Sequence, residues 1–131
     1  MIGIVLVAHS HLLAKGLQEM AQQMTRGMVK ITAAGGVDDE IIGTNAERIH
    51  QAIEEAYSPD GILILFDLGS ALMSTQMAIE MLPPDKQSQV KISAAPMVEG
   101  AIVAAVEASL DHKLMDVNAA AEAAKDMQKL T

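Results

Sequence analysis

Ile2-Gly-Ile-Val-Leu-Val-Ala8, followed at once by His9-Ser10, is the stretch whose reading decides the fold. Seven apolar or small residues rich in Ile and Val, with no polar alternation, mark a strand buried on both faces, which is the habit of parallel sheets. The strand stops at a histidine, and Leu13, Leu17, Met20, Ala21 and Met24 then recur at helical spacing behind Ser10, a residue suited to an N-cap. Strand followed by helix sets the pattern for the remainder of the chain.

Met28 to Ala33 reads as a second strand closed by Gly35-Gly36, and Thr44 with Glu47 forms a capping-box pattern before a helix carrying Ile49, Ala52, Ile53 and Ala56 on one face. Ser58-Pro-Asp-Gly61 is a turn, and Ile62-Leu-Ile-Leu-Phe66 is the third buried strand, ending at Asp67-Leu-Gly-Ser70. A third helix with Met73, Met77 and Met81 on one face, expected in the core, is stopped by Pro83-Pro84. Val90 to Ile92 is a short fourth strand. Pro96 opens a helix reaching about Leu110 that is apolar almost all round, and Asp116 caps a last helix with Val117, Ala120, Ala121, Ala124 and Met127 inward. The alternation implies an α/β fold over residues 1–131 as one domain: an open, mainly parallel four-stranded sheet with helices on both faces.

Composition narrows the function. One Phe, one Tyr and no Trp among 131 residues remove the aromatic platforms that stack sugars or bases. A net charge of −8 without basic clusters argues against nucleic acid. The absence of cysteine excludes disulfides and thiolate chemistry, and four scattered histidines with no i, i+4 pair make a structural zinc site an unsuitable reading. No apolar run is long enough to span a membrane and no signal peptide is evident, so a soluble cytoplasmic protein is expected. No glycine-rich nucleotide motif is present.

In open α/β sheets, reacting groups gather beyond the carboxyl ends of the strands, where the strand order reverses. His9 follows the first strand and Asp67 the third. In the order 2-1-3-4 these strands are neighbours, and the two side chains face one another. A carboxylate that accepts one imidazole N–H leaves the other ring nitrogen nucleophilic and stabilises the charge that develops on attack at phosphorus. Gly69 and Ser70, at a helix start, and Ser10 across from them are the candidate phosphate-binding residues, through free backbone N–H groups and hydroxyls. Met73, Met97 and the Leu68 loop are expected at an apolar rim suited to a protein face. The plainer reading, with Asp67 and Ser70 as helix caps and His9 as a polar strand terminus, belongs to a non-catalytic flavodoxin-like binding module. His11 is a minor rival to His9 and is expected to face solvent, His50 reads as a surface residue, and His112 follows a helix end.

Val7-Ala-His9-Ser10, Asp67-Leu-Gly-Ser-Ala71 and Ala95-Pro-Met-Val-Glu-Gly-Ala101 together resemble the mannose-type enzyme IIA domain of the phosphoryl-donor subunits, DhaM, of phosphoenolpyruvate-dependent dihydroxyacetone kinases. The resemblance runs over essentially the whole chain. It implies a mannose-type enzyme IIA fold, usually a homodimer, with His9 phosphorylated and Asp67 as its carboxylate partner. HPr would be the phosphoryl donor. The acceptor would be ADP, with magnesium, held in a DhaL-type subunit, while DhaK holds dihydroxyacetone; the chain itself would bind no cofactor or metal. The sugar-transporter enzyme IIA of the mannose class is the alternative. Its loop after the third strand typically carries two glycines and Ser-Pro, where this chain has Gly69-Ser70-Ala71, and Ser74 stands where the kinase family often has Asn.

Overall fold

A computed structural model describes residues 1–130. Four strands, β1 (Gly3–Ala8), β2 (Ile31–Gly35), β3 (Ile62–Phe66) and β4 (Val90–Ile92), pair in parallel in the order β2-β1-β3-β4. This is the expected order, and it places β1 and β3 side by side in the centre, with Val7 opposite Phe66. Every residue of β1 is buried, as its unbroken apolar run requires.

Successive side chains of the central strands feed two cores. Ile4, Leu6, Leu63 and Leu65 pack against α1 (His11–Thr25), α5 (Met97–Ser109) and α6 (Leu114–Ala123) on one face. Val5, Val7, Ile62 and Ile64 pack against α2 (Ala46–Ala56) and α3 (Ala71–Glu80) on the other. A four-residue helix, α4 (Pro84–Gln87), follows α3, with Pro84 in its first turn, and was not expected from the sequence. A proline's missing N–H does no harm at that position, so the residue that halts one helix starts the next.

Several local expectations are corrected. The second strand lies at Ile31–Gly35, later than the Met28–Ala33 reading, because Ile4 to Ala8 pair with Ile31 to Gly35. Gly35 belongs to the strand: a Cβ there would lie 2.3 Å from the Ser10 carbonyl oxygen, so only glycine lets β2 pass beneath the start of α1. The cap of α2 is Asn45, whose side chain accepts from the Glu47 and Arg48 N–H groups, and Thr44 takes no part in it.

The methionine stripes face outward. Met73, Met77 and Met81 are 71%, 52% and 47% exposed, while α3 buries Ala71, Thr75 and Ala78. Likewise α1 buries Ala14, Leu17, Ala21 and Thr25 and leaves Leu13, Met20 and Met24 exposed. The reason is one of distance. Small side chains let a helix sit close to its neighbours, and the inner face is wholly small in α3 and small apart from Leu17 in α1. At the end of the chain, Lys113 precedes α6 where Asp116 was expected to cap it; Asp116 lies in the first turn. The helix gives way to a 3-10 turn at Ala124–Asp126 that leaves Met127 exposed.

Candidate phosphoryl-transfer site

β1 ends at Ala8, and His9 is the first residue beyond it; β3 ends at Phe66, and Asp67 is the first beyond that. The Asp67 N–H still donates to the Val7 carbonyl at 3.1 Å, extending the pairing of the two strands by one step. The sheet therefore delivers the imidazole and the carboxylate to the same spot. One oxygen of Asp67, Oδ1, lies 2.9 Å from His9 Nδ1 and accepts the Leu68 N–H at 2.7 Å. The other, Oδ2, accepts the His9 backbone N–H at 2.9 Å.

Both side chains are largely covered, at 22% exposure for His9 and 13% for Asp67. Burial pushes the Asp67 carboxyl up, but the N–H groups of His9 and Leu68 and the His9 ring together outweigh it and hold the acid below its ordinary value. An ionised carboxylate has only acceptors, so in the neutral ring the shared proton belongs on Nδ1 and the lone pair on Nε2. Nε2 faces outward to the Ser70 hydroxyl at 2.8 Å, which then donates to it.

Ser70 stands at the N-terminus of α3 but its side chain caps nothing there. Its hydroxyl is committed to the histidine instead. Among the described residues, the N–H groups of Gly69 and Ser70 have no protein acceptor, and both residues are exposed. A Cβ at Gly69 would meet nothing within 4 Å, so the space in front of this glycine is open. These donors, beside Nε2 and at the positive end of a helix, suit an anion. Ser10 does cap α1, its oxygen accepting the Leu13 N–H at 3.2 Å; only its hydroxyl proton remains for another partner.

Close in the chain to His9, Asp67 and Ser70, the side chains of Leu12, Leu68 and Met73 are strongly exposed, whereas Met97, expected at the rim, is buried in the core. Among the described residues no Lys or Arg donates to His9, Asp67 or Ser70. His11, expected to face solvent, is instead turned against Arg48 and Asp39, with Nδ1 at 3.4 Å and 3.5 Å from them. His50 pairs along its helix with Glu54, and His112 with Glu107. No cluster of three potential metal-ligating side chains and no helix long and apolar enough to cross a membrane is present among the described residues.

Two further contacts escaped the sequence reading. The loop between β2 and α2 crosses the end of β1, where the Gly43 N–H donates to the His9 carbonyl at 2.8 Å. Beyond it, the Thr44 hydroxyl lies 2.7 Å from that of Ser74, in the second turn of α3. The one available signal, Thr44 ahead of a helix, pointed to a cap and away from this pairing.

Known proteins share this arrangement of sequence. The chain is 42% identical over 130 residues to a protein of Providencia stuartii named "PEP-dependent dihydroxyacetone kinase, phosphoryl donor subunit DhaM". That match takes in 94% of this chain but only 27% of the relative, so the chain spans about a quarter of that protein's length. It is also 42% identical over 107 residues to "PEP-dependent dihydroxyacetone kinase 2, phosphoryl donor subunit DhaM" of Listeria innocua, covering 82% of this chain and 86% of the relative. Among solved structures, a protein of unknown function, EF1359, superposes with a TM-score of 0.83 at 34% identity over 100% of both chains. Residues 3–118 match the model of the mannose-type enzyme IIA family, described as the PTS system fructose IIA component, and with the sheet order and full-length likeness above they establish that the chain belongs to this family.

Proposed function

We propose that this chain is a phosphohistidine carrier of a phosphoenolpyruvate-dependent dihydroxyacetone kinase, loaded by phospho-HPr and discharged to ADP in a DhaL-type subunit. The observation that carries the reading is the division of labour on one ring: His9 Nδ1 against Asp67 Oδ1 and Nε2 against the Ser70 hydroxyl. The names of the DhaM relatives supply the kinase to which such a carrier belongs.

In this mechanism the Nε2 lone pair of His9 attacks the phosphorus of the donor's phosphohistidine. The new N–P bond forms as the donor's N–P bond breaks, and the donor ring leaves with the bonding pair. The Ser70 hydroxyl turns from Nε2 to a phosphoryl oxygen, joined by the Gly69 and Ser70 N–H groups, with Ser10 across the site. His9 keeps its Nδ1 proton throughout, and Asp67 offsets the positive charge that the substituted ring acquires. Discharge reverses these steps, with an oxygen of the ADP β-phosphate as the attacking group. A site whose histidine, carboxylate and serine bond to no Lys or Arg among the described residues suits a protein face better than a free nucleotide, so ADP with its magnesium is assigned to the partner and DhaK enters only as the holder of dihydroxyacetone. Roles for His9, Asp67, Ser10, Gly69 and Ser70, and a homodimeric state, form part of this proposal.

The deciding experiment incubates the protein with phosphoenolpyruvate, enzyme I and HPr and measures its intact mass. Gain of one phosphoryl group, dependent on HPr and lost in His9→Ala, is the expected result. A mass unchanged under all conditions would overturn the reading in favour of a binding module.

A further inference from the structure

We propose that Thr44 and Ser74 are positioning residues, whose hydroxyl–hydroxyl hydrogen bond holds the start of α3 so that the Ser70 hydroxyl rests on Nε2 of His9. The inference deepens the carrier reading and, in its kinetic arm, rests on it.

The starting observation is how α3 is seated at its N-terminal end, since Ile79, its one large core-packed side chain, lies in the last turn. Its buried residues are Ala71, Thr75 and Ala78, and no side chain caps its N-terminus. Contacts of such small groups are non-directional, so they set the distance of the helix from the sheet better than its rotation about its own axis. Among the described residues, two side-chain hydrogen bonds tie the first two turns of α3 to other elements: Ser70 to His9 at 2.8 Å, and Ser74 to Thr44 at 2.7 Å. Residues four apart lie on one face of a helix, so the second bond fixes the rotation that the first requires.

The Ser74 hydroxyl has an alternative that it does not take. Mid-helix serines and threonines commonly bond back to the carbonyl one turn earlier, as Thr75 does to Ala71 at 2.9 Å. Ser74 reaches across to Thr44 instead. Thr44 is available because Asn45 performs the capping of α2.

Thr44, in turn, sits on a braced loop. Asp38 Oδ1 accepts the N–H groups of Glu40 and Ile41, both at 2.8 Å, and the Val37 N–H donates to the Ile41 carbonyl at 2.9 Å. The loop is fastened to the catalytic strand itself, Gly36 N–H to the Ala8 carbonyl at 3.1 Å and Gly43 N–H to the His9 carbonyl at 2.8 Å. Three hydrogen bonds, His9 carbonyl to Gly43, Thr44 to Ser74 and Ser70 to the His9 ring, joined by the chain between Gly43 and Thr44 and by one turn of α3, thus close a loop from the backbone of His9 to the ring of the same histidine. The nucleophile and the hydroxyl that meets it are referenced to one frame.

The test uses Thr44→Val and Ser74→Ala, each of which removes one hydroxyl, with Thr44→Ser as the variant that retains it and Ser70→Ala as the reference. The first readout is the ¹⁵N resonance of His9 Nε2 in the unphosphorylated protein. Thr44→Val and Ser74→Ala are expected to move it in the direction that Ser70→Ala does, and Thr44→Ser to leave it in place. The second is the rate of phosphoryl uptake from phospho-HPr, expected to fall about tenfold through kcat with KM little changed, since displacement of a positioned group by a fraction of an ångström costs rate before it costs binding. Added to Ser70→Ala, either substitution should cost little more, because both act through the same hydroxyl. An unmoved Nε2 resonance in both variants, or losses fully additive with Ser70→Ala, would overturn the proposal. Should the wild-type protein take up no phosphoryl group at all, the carrier reading fails by itself, and the resonance comparison still decides whether the pair places Ser70.

Discussion

Asp67 holds His9 twice: Oδ2 accepts its backbone N–H and Oδ1 faces its ring Nδ1, both at 2.9 Å. One carboxylate therefore sets the position of the residue and the tautomer of its ring. The consequence for chemistry is that only Nε2 presents a lone pair to an incoming phosphoryl group.

Phosphate should therefore be found on Nε2 of His9. A phosphoramidate is lost in mild acid and survives alkali, unlike a serine ester, and the proton-coupled ¹⁵N spectrum of the ring distinguishes the two nitrogens. His9→Ala should abolish the modification and His11→Ala should leave it, because His11 is engaged with Arg48 and Asp39. Phosphate on His11 or on Ser70 would sink the assignment.

Asp67→Ala should damage transfer far more than folding. Loss of an orienting carboxylate costs up to about 10⁴-fold in the serine-protease case. The fold would lose acceptors for the His9 and Leu68 N–H groups, about 1–3 kcal/mol. Stopped-flow transfer and urea unfolding on the same preparation separate these effects. A variant that is destabilised yet transfers at the normal rate would reduce Asp67 to a structural cap.

The carboxyl of Asp67 also predicts a pH signature. Its pKa in the folded protein is lowered, so the unfolded chain binds this proton first as the pH falls. The stabilisation is fully present above the ordinary carboxylate value of about 4 and is lost as the pH drops through that value towards the folded one. The stability gap between wild type and Asp67→Asn should be widest near neutrality and close on acidification. A gap independent of pH would show that the carboxylate is not held ionised by its contacts. Asp38, Glu99 and Glu122 are lowered too, so the comparison with Asp67→Asn, and not the wild-type curve alone, carries the test.

The outward methionines make a separate prediction about α3. Met73→Ala and Met77→Ala should change stability by no more than about 0.5 kcal/mol, as for other surface positions. Ala78→Leu, at a fully buried position against the sheet, should cost about 1–3 kcal/mol through overpacking. Equal costs at both positions, measured by chemical unfolding, would mean that α3 is rotated from the orientation described.

The acceptor separates the kinase reading from the sugar-transporter one. Phosphorylated protein should lose its phosphate to ADP only with a DhaL-type subunit and magnesium present, and should not pass it to a mannose-type enzyme IIB at a comparable rate. Rapid discharge to free ADP would contradict a site in which, among the described residues, no Lys or Arg bonds to His9, Asp67 or Ser70; discharge to the enzyme IIB would move the protein to the transporter branch even with His9 correctly assigned.

The amino-acid sequence by itself determined the buried strands, the parallel order and the meeting of His9 with Asp67. Long apolar runs such as Ile2 to Ala8 and Ile62 to Phe66 can be satisfied only between two layers of helices, and right-handed crossovers leave few ways to arrange them. Residues that end adjacent strands are then adjacent without further information. What the tertiary structure alone decided was of two kinds. Where a helix offered two apolar stripes, periodicity could not choose between them; the small one, Ala71–Thr75–Ala78 over Met73–Met77–Met81, won because the helix lies close to its neighbours. The pairing of Thr44 with Ser74, and of His11 with Arg48 and Asp39, depended on where separate loops come to rest. A hydrogen bond needs its partners placed to within a few tenths of an ångström, and spacing along a chain carries no such measure across thirty residues.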